Sequence, residues 1–220
     1  MKRTYQHFCP VARALEKIGD RWSLLIVRDL LRRPQRFTDL LRSSSNITPK
    51  WLSRRLGELE AAGIVERDSQ LGRREVWYRL TPTGRDLGPV VRALASWGLE
   101  HAMRPPLPGE AIHPGLLMNM VALSLNRWGK RLSRPVTWSL RFTPGGPYTL
   151  SFDGERWSSQ RGEEANADVT LTTTPEACAT FVTAEWDERG QYAERFQLDG
   201  TPDRVEELLQ TLSIRSDQAE

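Results

Sequence analysis

The stretch from Thr48 to Asp68, TPKWLSRRLGELEAAGIVERD, predicts a helix followed by a strand. Thr48 is a suitable N-cap residue, and Pro49 occupies the first helical position, where its missing N–H group forfeits no hydrogen bond. Gly63 is predicted to end the helix. Cations crowd the N-terminal turns, where the helix dipole is positive, whereas the glutamates lie nearer the negative end. The helix therefore contradicts the usual charge preference, and this needs a cause outside the helix itself.

Helical spacing separates the side chains of this segment into two faces. The apolar stripe that is predicted to face the core consists of Leu52, Leu56 and Leu59. The opposite face is small and cationic, and contains Lys50, Ser53, Arg54 and Gly57. Arg55 lies on a flank and has two interpretations, a phosphate contact or a side chain that packs through its stem. The alternative for the whole face is a solvated helix in which Arg54 merely pairs with Glu58 at i, i+4.

The net charge of +3 conceals a division of the chain. Residues 1–104 carry 20 Lys and Arg against 11 Asp and Glu, whereas residues 105–220 carry 11 against 17. A basic half favours a polyanionic partner. Each cation at a helix N-terminus costs about 0.3–1 kcal/mol, and phosphate groups arriving there would reverse the sign of that penalty. The charge pattern therefore favours a functional surface over a solvated one.

The proline-rich stretch MRPPLPGEAIHPG cannot form a continuous helix and separates two predicted domains, 1–104 and 111–220. Only two cysteines are present, and neither a secretion signal nor a run of eighteen apolar residues is found, so we expect a cytoplasmic protein with no membrane span. His7, His101 and His113 have no metal-ligand spacing, and no glycine-rich phosphate loop occurs. We therefore expect neither a metal nor another cofactor, and no enzymatic activity.

The segments around the opening stretch complete a winged helix-turn-helix pattern. Apolar periodicity predicts helices in 11–18, 21–31 and 37–43, a hairpin that joins 64–68 to 75–80, and a long helix from about Pro82 to His101. Gly72 permits a tight hairpin turn, from which Arg73 and Arg74 project. Arginines at such a tip can contact the minor groove or the phosphate backbone. The alternative is an ordinary hairpin kept soluble by its charge.

Four motifs in one order carry a family resemblance: CPVARALEKIGDRWSLLIVRDLL, RFTDLLRS, ITPKWLSRRLGELEAAGIVER and YRLTPTGRDL. Over roughly residues 8 to 102 the chain resembles the HxlR family of winged-helix transcription regulators. The resemblance implies a homodimer held by its terminal helices on a roughly palindromic double-stranded DNA operator, with recognition helices about 34 Å apart. The predicted DNA contacts are Thr48, Pro49, Lys50, Ser53, Arg54, Arg55, Arg73 and Arg74.

Cys9 has two interpretations within this resemblance. In some members of the family the cysteine at this motif position senses oxidants or electrophiles, which requires a lowered pKa and exposure. The alternative is a small buried residue at the start of the first helix.

The acidic half predicts an α+β domain in which helices cover one face of a mainly antiparallel sheet. Its segments NADVTLTTTPEACATFVTAEW and ERFQLDGTPDRVEELLQTL resemble the sterol carrier protein type 2 domain, which implies an apolar tunnel for a lipid-like molecule. The candidate ligand contacts are Trp128, Trp138, Phe142, Phe152 and Phe181. The alternative is that these aromatic residues form an ordinary core.

The sequence favours a dimeric, sequence-specific DNA-binding regulator whose C-terminal domain binds a small apolar effector. One alternative is a thiol-based regulator that responds through Cys9. Another is a lipid-binding carrier whose basic half binds nucleic acid or membrane nonspecifically, and such a carrier would show no preference for one DNA sequence over another.

Overall fold

The structure, a computed structural model, describes residues 4–44, 46–68, 76–184 and 190–213. The chain divides into two compact units, Met1–Ala95 and Ser96–Glu220. The division falls within a helix, N-terminal to the proline-rich stretch at which the sequence predicts the domain boundary.

The first unit has the architecture of a winged helix-turn-helix domain. Its elements are α1 (Pro10–Ile18), α2 (Ser23–Arg32), β1 (Gln35–Arg36), α3 (Phe37–Ser43), α4 (Pro49–Ala61), β2 (Val65–Asp68), β3 (Trp77–Leu80), α5 (Pro82–Arg85) and the start of α6 (Gly88–His101). The strands pair antiparallel in the order β1-β3-β2. The predicted winged-helix architecture of this half is thereby confirmed.

Both ends of α4 form as the sequence predicts. The side chain of Thr48 accepts a hydrogen bond from the main-chain N–H of Trp51, and Pro49 follows as the first helical residue. Gly63 has a φ of 69°, which a glycine adopts without steric cost. Its N–H group donates to Glu60, while the N–H group of Ile64 donates to Leu59, so both hydrogen bonds of a Schellman motif are present.

Two elements of the first unit differ from the sequence prediction. The segment between the predicted helices 21–31 and 37–43 contains a strand that was not predicted, β1, in which Gln35 lies opposite Tyr78. The helix predicted from about Pro82 to His101 is two helices, α5 and α6, with a break between Arg85 and Gly88. Pro89 explains the break, because a proline lacks an N–H donor and its ring clashes with the carbonyl group four residues earlier.

The second unit is an α+β domain, as predicted. Its elements after α6 are α7 (Pro114–Arg127), β4 (Val136–Phe142), β5 (Gly146–Phe152), β6 (Trp157–Arg161), β7 (Val169–Thr173), α8 (Pro175–Thr183), α9 (Gly190–Ala193), β8 (Gln197–Asp199) and α10 (Pro202–Leu212). The sheet order is β6-β5-β4-β7-β8, and only the β4–β7 pair among these neighbours is parallel. Strand β6 was not predicted, because Trp157 is its only buried residue.

Alternate residues of the central strand β4 build the core of this unit. Trp138 is fully buried, and its ring centroid lies 5.1 Å from that of Trp157, which in turn lies 5.1 Å from that of Phe152. Phe181 of α8 packs edge-on against Phe196 at 5.0 Å. Aromatic rings therefore fill much of the space between the sheet and its helices. Within the described residues, no helix is long and apolar enough to cross a membrane.

Candidate nucleic-acid interface

The first turns of α4 present one exposed, cationic face. Thr48, Pro49, Lys50, Ser53 and Arg54 are all exposed there. The apolar stripe behind them is buried as predicted, since Leu52, Leu56 and Leu59 are 1% exposed or less. A helix N-terminus that carries cations and unpaired N–H groups is the part of a recognition helix that reaches DNA in helix-turn-helix proteins.

Arg54 is exposed but has a defined orientation. Its side chain is 65% accessible, and its Nε donates a hydrogen bond of 3.0 Å to Oε1 of Glu58. Its guanidinium carbon lies 5.2 Å from the ring centroid of Trp51, within the range of a cation–π contact. The i, i+4 pair that the sequence offers as an alternative to DNA contact is thus formed, and it leaves the terminal amino groups of Arg54 on the exposed face.

Arg55 points the other way, into the domain, and matches the packing interpretation. Its side chain is only 11% accessible. Its Nη2 donates to the main-chain carbonyl of Lys17 at 2.6 Å, and its Nη1 donates to Oε2 of Glu58 at 2.6 Å. A carboxylate oxygen of Asp20 lies 3.8 Å from its Nε. The contact with Lys17 spans 38 residues, so helical spacing alone cannot indicate it.

Glu58 joins the two arginines. Burial raises the pKa of its carboxyl group, but hydrogen bonds from Arg55 and Arg54 outweigh that effect, and the pKa lies below its ordinary value. Glu58 therefore carries a negative charge at neutral pH, between a fixed arginine and an exposed one.

The tip of the wing, with Gly72, Arg73 and Arg74, lies outside the described residues, so its predicted DNA contacts stay predictions. Two further arginines stand at the base of the wing. The guanidinium carbon of Arg36 lies 4.8 Å from the ring centroid of Trp77, and that of Arg67 lies 5.7 Å from that of Tyr78. Neither was predicted from the sequence. The predicted hairpin was an available signal for Arg67, which lies opposite Tyr78, whereas Arg36 meets Trp77 only through the unpredicted strand β1.

The candidate ligand contacts of the second unit separate into two groups. Trp138, Phe142, Phe152 and Phe181 are 3% exposed or less and belong to one core cluster. Trp128 is only partly buried and lines a small cavity with Met103, Met120, Val182 and others. This cavity measures about 10 Å³, which is room for one water molecule.

The two cysteines have different surroundings. Cys9 is the N-cap residue of α1 and is partly exposed, which lies between the exposure of a sensor and the burial of a core residue. Cys178 is buried in α8, and desolvation raises its pKa to about 12. No cluster of three or more His, Cys, Asp or Glu residues that could hold a metal ion occurs in the described parts of the chain.

Comparison with known proteins indicates a helix-turn-helix protein, as the fold of the first unit does. The family model of the HxlR-like helix-turn-helix matches residues 17–105. An uncharacterized HTH-type transcriptional regulator of Mycobacterium tuberculosis is 42% identical over 101 residues, which cover 44% of this chain and 62% of that relative. The HTH-type transcriptional regulator YvaP of Bacillus subtilis is 36% identical over 95 residues, which cover 42% of this chain and 87% of the relative.

Solved structures are also similar to the N-terminal half. The reduced form of the redox regulator HypR is 35% identical, with 42% of this chain and 92% of that chain covered and a TM-score of 0.39. The reduced form of the transcriptional regulator YodB from Bacillus subtilis is 32% identical. The match covers 47% of this chain and 100% of that chain, with a TM-score of 0.39.

Fold and site define a winged helix-turn-helix protein. Through its N-terminal half, the chain belongs to the HxlR-like helix-turn-helix family.

Proposed function

We propose that this protein is a sequence-specific regulator of transcription that binds double-stranded DNA through α4 and the wing. The observation that carries the proposal is the exposed face of α4. Thr48 caps this helix, and Lys50 and Arg54 are exposed on its first turns. Cations there are unfavourable in isolation and become favourable against phosphates.

Competition between DNA sequences tests the proposal directly. The full chain would first select a preferred duplex from a random library, and its affinity would then be compared with that for a scrambled duplex of equal length and composition at 150 mM salt. We expect at least about a thousandfold preference, as is usual for specific regulators. Equal affinities would instead support the alternative of a nonspecific electrostatic binder.

The proposed regulator is a homodimer. Apolar residues at helical spacing are exposed on α1, where Val11 is 65% and Leu15 is 43% accessible, and on α6, where Val90 is 45% and Leu94 is 52% accessible. Exposed apolar stripes on two helices favour association with another protein surface. Two copies joined by such helices would place two α4 helices on successive turns of the same DNA face.

For regulation, the first candidate is a small apolar effector bound in the second unit. The cavity beside Trp128 supports this candidate, and binding there would require the surrounding side chains to move apart because the cavity is small. Native mass spectrometry of the purified protein, before and after addition of a long-chain fatty acid, tests this candidate. An effector that binds without changing DNA affinity would exclude a regulatory role.

The second candidate is a thiol input at Cys9. The supporting observation is its partial exposure as the N-cap residue of α1, since a reactive cysteine must be accessible. Treatment of the wild type and of Cys9→Ser with hydrogen peroxide distinguishes the two inputs. A change in DNA affinity that the Cys9→Ser variant lacks would support the thiol input.

A further inference from the structure

Four side chains on and beneath the proposed DNA-binding face form one connected series. Arg55 is fixed to the carbonyl group of Lys17 at 2.6 Å and donates at 2.6 Å to Oε2 of Glu58. The other oxygen of Glu58, Oε1, accepts from Nε of Arg54 at 3.0 Å. The ring of Trp51 covers the guanidinium group of Arg54 at 5.2 Å. The series therefore begins at a buried anchor and ends at an exposed arginine.

Exposed ion pairs between neighbouring turns of a helix are usually too weak to hold a side chain. Glu58 differs because its second oxygen is bonded to a side chain that is only 11% accessible. The carboxylate therefore has a fixed position from which to orient Arg54. It engages Nε, so both terminal nitrogens of Arg54 remain available for the two acceptors that guanine presents in the major groove.

We infer that Glu58 is a positioning residue that aims Arg54 at a guanine, with Arg55 as its buried support. The inference rests on the proposed DNA-binding function. An arginine held in one orientation loses less conformational entropy on binding than a free one.

The test uses the duplex selected by the wild type and its scrambled counterpart, with the full chain at fixed salt. Glu58→Gln should lower the ratio of the two affinities about 5- to 10-fold, because Arg54 loses its orientation and the selected complex weakens relative to the scrambled one. Glu60→Gln is the matched control, because it removes the same charge from another exposed position of α4 and should leave the ratio unchanged. An unchanged ratio in Glu58→Gln overturns the inference.

Combination with Arg54→Ala separates positioning from a merely structural role. In the Arg54→Ala background, Glu58→Gln should have no further effect on the ratio, since the side chain that it orients is absent. A full effect in that background would mean that Glu58 acts through the stability of the helix, and would overturn the inference. If the wild type itself does not discriminate between the duplexes, the proposed function fails first.

A measurement on the free wild type covers the case in which Glu58→Gln does not fold. The order parameter of the Arg54 Nε–Hε group, from ¹⁵N relaxation, should be close to that of rigid backbone, about 0.85. A value below about 0.6 would describe a mobile side chain and would overturn the inference.

Discussion

The Nη2 of Arg55 donates a hydrogen bond of 2.6 Å to the main-chain carbonyl of Lys17, which ties α4 to the last turn of α1. Replacement of Arg55 by alanine leaves that carbonyl without this donor and removes a bonded partner of Glu58. We expect Arg55→Ala to lower the free energy of unfolding by about 2–3 kcal/mol. Arg54→Ala on the exposed face should change it by less than about 0.5 kcal/mol. Urea unfolding of both variants measures the contrast, and similar values for the two would contradict it.

For DNA binding we expect the opposite ranking, in which Arg54 contributes more than Arg55. Arg54→Ala should weaken the selected duplex by about 1–3 kcal/mol and relax sequence preference at one position of each half-site. Fluorescence anisotropy over a salt series measures this effect. Normal affinity of Arg54→Ala for the selected duplex would show that the face of α4 is wrongly assigned.

The wing should contribute differently from α4. Arg73→Ala should weaken binding to all duplexes alike, because a backbone contact carries no base information. It should also make the slope of log affinity against log salt concentration shallower by about 1, the contribution of one phosphate contact. The same salt series tests this expectation. A loss confined to the selected duplex would instead assign base recognition to the wing.

Two glycines of the first unit should respond to alanine in opposite directions. A Cβ atom at Gly84 would lie 2.1 Å from the main-chain carbonyl oxygen of Ile64, whereas one at Gly57 would meet nothing within 4 Å. Gly84→Ala should therefore destabilise the domain by about 1–3 kcal/mol, the usual cost of overpacking. Gly57→Ala should stabilise it by about 0.5–1 kcal/mol, since alanine is the better helix former. Thermal unfolding measures both, and equal melting temperatures would contradict the geometry.

The proposed dimer predicts that a charge on the exposed stripe of α6 disrupts association. Leu94→Glu should convert the dimer into a monomer, because a buried carboxylate without a partner is unfavourable in an interface. Leu107→Glu is the control, since Leu107 is also an exposed leucine, at 57%, but lies outside α1 and α6. Sedimentation equilibrium gives the masses. A dimer that persists in Leu94→Glu would place the interface elsewhere.

The cysteines should differ sharply in reactivity with iodoacetamide. Burial raises the pKa of the Cys178 thiol to about 12, so the thiol stays protonated at pH 8 and little reactive thiolate is present. Cys9 is partly exposed and should be alkylated first. Intact mass spectrometry, followed by peptide mapping, measures both rates. Faster modification of Cys178 in the native protein would contradict its burial.

Periodicity and capping residues explain why most of the first unit was predictable. Thr48, Pro49 and Gly63 act within a few residues of their own positions, and the stripe from Leu52 to Leu59 repeats at helical spacing. Strand β1 was missed because it is two residues long and is defined only by its pairing with β3. Strand β6 was missed for a related reason, since its polar residues show little alternation.

The sequence alone determined that α4 exists, where it begins and ends, and that one of its faces is apolar and the other cationic, because all of these depend on local propensity and spacing. Only the tertiary structure decided between the two interpretations of Arg55, which helical spacing places on a flank. Arg54 and Arg55 are adjacent and chemically identical, yet one lies exposed against Trp51 and the other is buried against Lys17. Their roles differ because hydrogen bonds to a distant helix depend on how the chain packs, which neighbouring residues in the sequence do not specify.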